Sequence, residues 1–273
     1  MKTTDLTPQK NLPSEILPFV VRVATEQDMD RIAALRAATY GKHLPELAGK
    51  LREPEACDTE LGCEVIVAAA KLDGSLLGTL RTHANVFKPL PLQSSIRLPE
   101  KFQDMRMVEA TRLCVMGHSN SSMVRSALFK ALFQYCNAQK VDWIMAVGRR
   151  PIDRIYDALL FSDVADSGKF YPMAHVNGVP HRVMGLRSAT QANWAAAQHP
   201  LYRFVFETHH ADIDLSESSN LNFPWHCPEI NLGVDSSTQF LGDVGMVVQG
   251  EMLAHSIRRQ ALVNPNPIGF NAR

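Results

Sequence analysis

The sequence has no net charge: Lys and Arg total 28, and so do Asp and Glu. Binding to nucleic-acid phosphates draws on an excess of basic charge, so no nucleic-acid partner is expected. Long apolar runs are also lacking. None approaches the ~20 residues that cross a bilayer, and no membrane span is expected. The opening residues, "MKTTDLTPQKNLPSE", contain no apolar segment of the secretory kind, so the expected location is cytoplasmic. Cysteine is sparse. Cys57, Cys63, Cys114, Cys136 and Cys227 are odd in number and include no Cys-x-x-Cys pair. Free thiols in a reducing compartment account for that pattern. His209-His210 with Asp212 and Asp214, and His226-Cys227, lack the separated pairs of a zinc site, so no metal is expected.

What is present is a folded, mixed chain. Hydrophobic residues make up 45% and charged residues 21%, the balance of a globular protein. "FVVRVA" predicts a strand, and "TEQDMDRIAALRAATYG" a helix capped by Thr25. "CEVIVAAAKLDGSLLGTLRTHAN" predicts two strands joined at Asp73-Gly74. After a polar, proline-containing connection come a strand (Arg106–Met116) and a helix capped by Ser121 or Ser122. That helix carries the stripe Val124, Leu128, Ala131, Leu132 and Tyr135. "VDWIMAVG" reads as a buried strand and "PIDRIYDALLF" as a helix with Pro151 first. A hairpin around Asn177-Gly178 follows. The expected organisation is a mobile arm at 1–17, a domain at 18–188, and an extension at 189–273 that serves as a lid or an oligomer contact.

The strand "MRMVEATRLCVMGHS" is the anomaly, because it holds Glu109 and Arg112 in an apolar setting. A buried charge is costly unless paired. Strand alternation places Glu109, Thr111, Leu113 and Val115 on one face and Ala110, Arg112 and Cys114 on the other. Glu109 and Arg112 are therefore not expected to pair with each other. Arg112 is expected to organise Asp58 or Glu60. Two readings stand: structural ion pairs, or a strand that carries chemistry.

The element order and a few motifs together resemble the GNAT acyltransferase fold. More narrowly, they resemble the N-acyl amino acid synthases and the acyl-homoserine-lactone (autoinducer) synthases. "EATRLCV" is similar to the Glu-x-Ser/Thr-Arg-Phe/Leu-x-Val strand of those families. "DGSLLGTLR" resembles the hairpin before it, ending at Arg81, and "LRAATY" the first-helix pattern at Arg36 and Tyr40. "RIYDALLF" resembles a helix ending in Tyr-x-x-x-Gly-Phe, with Tyr156 at the tyrosine and Leu160 in place of the glycine. The resemblance covers residues 18–188. It implies an α/β (α+β) fold: a mixed, mostly antiparallel sheet flanked by helices, with a C-terminal extension.

It also implies roles. Glu109 would bind or deprotonate an amine, supported by Thr111, and Tyr156 would protonate a leaving thiolate. Arg36 and Arg81 would hold an acceptor carboxylate, and Arg112, Leu113 and Val115 would line the substrate. No Gly-x-Ser-x-Gly or Cys–His nucleophile occurs, so the amine would attack directly. The glycine-rich pyrophosphate loop of ordinary GNAT enzymes is absent at "MGHSNSSM", which offers only Gly117 before Ser121 and Ser122. The expected donor is therefore an acyl-phosphopantetheine on an acyl carrier protein, with acyl-CoA as the alternative co-substrate and no tightly bound cofactor. Arg149, Arg150 and Arg154 would meet the carrier or the phosphate. The expected activity is transfer of a medium or long acyl chain to an amino-acid-like amine, in a chain able to form homo-oligomers. The rival readings are an acyl-CoA-dependent N-acetyltransferase and a non-catalytic acyl-binding protein.

Overall fold

Each run of period-two apolar residues becomes a strand of one mixed sheet. The structure, a computed structural model, describes residues 12–117 and 120–218. Its elements are β1 (Phe19–Val23), α1 (Met29–Gly41), α2 (Pro45–Lys50), β2 (Cys63–Ala70), β3 (Leu76–Ala84), β4 (Met107–Val115) and α3 (Ser121–Ala138). Then come β5 (Trp143–Gly148), α4 (Asp153–Ala158), β6 (Ser162–Asp163), β7 (Tyr171–Met173), β8 (Val179–Arg187), α5 (Gln191–Ala196) and β9 (Ile213–Asp214). The sheet order is β6-β8-β5-β4-β3-β2-β1-β9, with β7 on β8. Among these strands, β4–β5 and β1–β9 pair in parallel and the others antiparallel.

The two faces are covered differently. Val124, Leu128 and Leu132 of α3 pack on Ile66, Leu80, Val108 and Ala110. Fully burying a leucine contributes about 1.5–3 kcal/mol, so this stripe anchors the helix. The opposite face packs on α2 and the 85–106 connection. Leu47, Leu92 and Phe102 meet Met107, Met145 and Val183 there. The connection read as simply polar thus contains two short turns, Pro91–Ser94 and Glu100–Phe102, that bury Leu92 and Phe102.

Local boundaries shift slightly. Helix α3 begins at Ser121, so its cap position falls on Asn120 rather than on Ser121 or Ser122. Helix α4 begins at Asp153, with Pro151 two residues ahead of it rather than at its first position. Thr25 caps a short turn, Glu26–Asp28, that leads into α1, and its backbone N–H donates to Asp28 Oδ2 at 2.8 Å. The hairpins at Asp73-Gly74 and Asn177-Gly178 form, with Gly74, Asn177 and Gly178 all at positive φ.

Residues 189–218 share the same core. Trp194 of α5 is fully buried and meets Phe133 of α3 edge-on at 5.4 Å. Strand β9 extends the sheet at β1, and Lys130 Nζ donates to the carbonyls of Phe204 and Thr208. Residues 219–273 of the expected extension and most of the expected arm at 1–17 lie outside the described residues. No helix among the described residues is long and apolar enough to cross a membrane.

Candidate active site

The site is made by an interruption in β4. Its parallel pairing with β5 runs from Met107↔Trp143 to Ala110↔Ala146 and stops there, although both strands continue. On the other side, Arg81 faces Thr111 while Thr79 faces Cys114. Arg112 and Leu113 together therefore oppose Leu80 alone, a bulge, with Arg112 in the left-handed region at φ 52°. The bulge frees Arg112 from strict alternation, so it joins the side chains on the Thr111 face.

The gap between the strands opens into a cavity of about 140 Å³. Thr111, Arg112 and Leu113 line one side, and Val147, Arg149 and Tyr156 another. Leu44 and Leu47 close it from α2 and its approach. Gly148 lets α4 approach the end of β5, because a Cβ there would sit 2.9 Å from Asp153 Cα and 3.1 Å from the Tyr156 ring. Burial pushes the Tyr156 phenol above its ordinary range.

A buried ionic cluster lies beside the bulge. Arg112 forms a bidentate pair with Glu55, at 2.8 Å and 2.6 Å. Asp58 accepts from Arg36 at 2.7 Å and from Arg81 at 3.0 Å. Arg81 also reaches Glu55 at 3.0 Å and donates from Nε to Thr111 Oγ1 at 3.2 Å. The expected partners of Arg112, Asp58 and Glu60, are thus replaced by Glu55. Asp58 serves Arg36 and Arg81, and Glu60 pairs with Lys88. Burial works against the Glu55 charge, but Arg112 and Arg81 overcome it and hold its carboxyl down at about 2. Three arginines share two carboxylates, which leaves one positive charge in excess.

Glu109 lies on the same face, wholly buried. Its Oε2 accepts the Leu92 N–H at 2.8 Å, and its Oε1 has no hydrogen-bond partner. Burial raises its pKa to about 8. His175, in the short turn between β7 and β8, places Nε2 4.0 Å from Oε1. His83 of β3 stands opposite Glu109 in the register, with Nδ1 2.9 Å from Cys63 Sγ. Burial pushes both histidines down, His175 to about 4 and His83 to about 3, so both are neutral near pH 7.

A second, open cavity of about 530 Å³ adjoins the first. It is lined by Glu55, Arg81, His83 and Lys88, with Leu90 and Gln93 from the 85–106 connection. Thr111, Arg112 and His175 line both cavities. The fold therefore brings an apolar slot and a wider chamber, which sets the charged Glu55, Glu60, Arg81 and Lys88 in a mostly apolar lining, together at three side chains.

The residues singled out in the sequence divide accordingly. Thr111, Arg112, Leu113, Arg149 and Tyr156 line the slot, and Arg81 lines the chamber. Arg36 is 1% exposed and lines neither; it braces Asp58 instead of facing an acceptor. Glu109 also lines neither cavity. Val115 packs against the α3 core, away from the slot. Gly117, Ser121 and Ser122 lie outside both cavities, and Arg150 and Arg154 are exposed, with Arg150 over the Phe170 ring. Sequence reasoning missed Glu55, His83 and His175. Among the described residues, no group of three His, Cys, Asp or Glu side chains gathers as a metal site would require.

One family matches the chain by sequence pattern: the N-acyl amino acid synthase FeeM family, over residues 51–184. The solved structure of FeeM, an N-acyl amino acid synthase from uncultured soil microbes, superposes with a TM-score of 0.51 at 15% identity. The match covers 68% of this chain and 96% of FeeM. The chain has the fold of FeeM. The CoA-dependent acyl-homoserine lactone synthase BjaI aligns at 12% identity with a TM-score of 0.46, over 70% of this chain and 93% of BjaI. A GNAT-family acetyltransferase from Staphylococcus aureus aligns at 11% identity with a TM-score of 0.44, over 62% and 99%. The sheet is mixed and mostly antiparallel with helices against it, the fold class expected from the sequence. No curated protein sequence matches the chain.

Proposed function

We propose that this chain is an N-acyltransferase that moves a medium or long acyl chain from a carrier thioester to the amine of an amino-acid-like acceptor. The observation that carries the reading is the meeting of the two cavities at Thr111, Arg112 and His175. The apolar slot suits an acyl-pantetheine arm. The chamber suits a small anionic acceptor, because the cluster at its wall, Arg36, Arg81 and Arg112 against Glu55 and Asp58, carries one positive charge in excess. Holding both reactants at one junction supplies the proximity that direct aminolysis needs. Backbone N–H groups freed where β4 leaves β5 are the candidate donors to the thioester oxygen.

For the donor, the reading is an acyl carrier protein. Arg149 lines the slot while Arg150 and Arg154 lie exposed beside it, a basic rim suited to an acidic carrier. The test presents one acyl chain on carrier protein and on CoA across a salt series, with amide product followed by mass spectrometry. The expected result is a higher kcat/KM for the carrier, with an advantage that shrinks as salt screens the contact over about 10 Å at 0.1 M. Equal or better use of acyl-CoA at low salt moves the reading to a CoA-dependent enzyme. A bound acyl ligand without turnover removes the catalytic reading.

A further inference from the structure

We propose that His175 is the base that takes the proton from the attacking amine, and that Glu109 is the positioning residue behind it. This rests on the acyltransfer reading above. Glu109 is the only carboxylate in the strand motif, yet it lines neither cavity and is 0% exposed. It does not touch an acceptor in either cavity. His175 is the side chain that connects it to them: Nε2 lies 4.0 Å from Glu109 Oε1, and the ring lines both cavities.

The other groups at the junction are committed elsewhere. Thr111 Oγ1 accepts from Arg81, and Arg112 is a cation clamped by Glu55. His83 is not at the junction: it lines only the chamber, with Nδ1 at Cys63 and Nε2 without a hydrogen-bond partner. Glu109 Oε1 and His175 Nδ1 likewise have no hydrogen-bond partner, and of the two histidines His175 is the one that reaches both cavities. Buried polar atoms as a rule find a partner in protein, water or ligand, and an amine seated at the junction would supply one to His175. Burial, with Arg112, His181 and Arg81 nearby, keeps His175 neutral and so able to accept a proton.

The step balances as follows. The amine nitrogen attacks the thioester carbonyl carbon, and a C–N bond forms. The proton it sheds moves to the His175 ring, and the Glu109 carboxylate stabilises the imidazolium. The C–S bond breaks, and the departing thiolate takes a proton back from His175. The products are an amide and a free thiol.

The groups facing the pair are Arg81 and His83 from β3, Arg112 from β4, Glu55 from the segment before β2, and His181 from β8. Against them, activity should rise with pH as Glu109 ionises, around pH 8.

The experiment compares wild type, His175→Gln, His175→Ala, Glu109→Gln and Glu109→Asp with one dodecanoyl thioester. The probes are a mixture of free amino acids and, in parallel, methoxyamine, which is unprotonated at neutral pH and needs little help from a base. Thermal melts check folding. His175→Gln should lose ~100-fold with amino acids, the usual scale for a lost general base, and far less with methoxyamine. Added imidazole should restore part of the His175→Ala rate. Glu109→Gln should flatten the pH profile near 8, and Glu109→Asp should partly restore it. Full activity of His175→Gln, or equal losses with both nucleophiles, overturns the proton path while leaving the function standing. A wild type that acylates no amine from any thioester removes the function and the path together.

Discussion

Strand β4 serves two faces of the sheet, and they obey different rules. Towards α3 it presents Val108 and Ala110, which disappear among Leu128, Leu132 and other apolar side chains. Towards the opposite face it presents Met107, then Glu109 and Thr111, and, at the bulge, Arg112. The first face needs only volume and hydrophobicity, which many side chains satisfy. The second needs a named partner for every polar atom, because burial without one costs about 1–3 kcal/mol, and more for a charge. Those partners come from distant segments: Glu55 for Arg112, Asp58 for Arg81, and the Leu92 N–H for Glu109. The α3 face holds the fold together, and the other face spends part of that stability on a polar junction.

Substitutions on each face test that contrast. The largest effect is expected from Asp58→Ala, which leaves the buried Arg36 and Arg81 to share Glu55 with Arg112. Breaking a buried pair in this way should cost about 3–5 kcal/mol, read from denaturant unfolding. Leu128→Ala on the α3 face should cost about 2–5 kcal/mol through the cavity it leaves, while kcat of the folded fraction stays near wild type. If Leu128→Ala abolished kcat and Asp58→Ala left stability untouched, the division of labour would be wrong.

Glu109 gives a subtler test, through pH. Its folded pKa, about 8, lies above its ordinary value, so the folded state binds more protons than the unfolded state between roughly pH 4.5 and 8. Stability from this group is therefore full below pH 4.5 and is lost as pH rises through 8. Glu109→Gln removes that loss, and its Tm should gain on wild type from pH 5 to pH 9. A Tm difference that stays constant across this range would show that Glu109 does not titrate as its burial requires. The smallest effect should come from Arg149→Glu with Arg150→Glu at the rim of the slot. Stability should change by no more than about 0.5 kcal/mol per site. The KM for a carrier-borne acyl chain should rise at low salt and converge with wild type at high salt.

Much of the scaffold was legible in advance. Strands from "FVVRVA", "CEVIVAAA", "DGSLLGTLR" and "VDWIMAVG", and the helix from Ser121, follow from local periodicity and turn residues. The buried turns at Pro91–Ser94 and Glu100–Phe102 were not legible, because short apolar contacts between prolines carry no period. Nor was the strand β9, only two residues long and paired with β1 nearly 200 residues earlier in the chain.

By itself, the sequence determined that β4 is an apolar strand with a carboxylate and a guanidinium inside it, and that those two charges would look elsewhere for partners. Periodicity and the cost of burying charge suffice for that. Only the tertiary structure decided which partners they found. Glu55 precedes Arg112 by 57 residues, and His175 lies in "PMAHVNG", where no spacing distinguishes it from a surface histidine. Its position against Glu109 depends on the β7–β8 hairpin folding back over the sheet, and on β4 parting from β5 after Ala110. Those are properties of register and chain path, which local side-chain patterns do not encode.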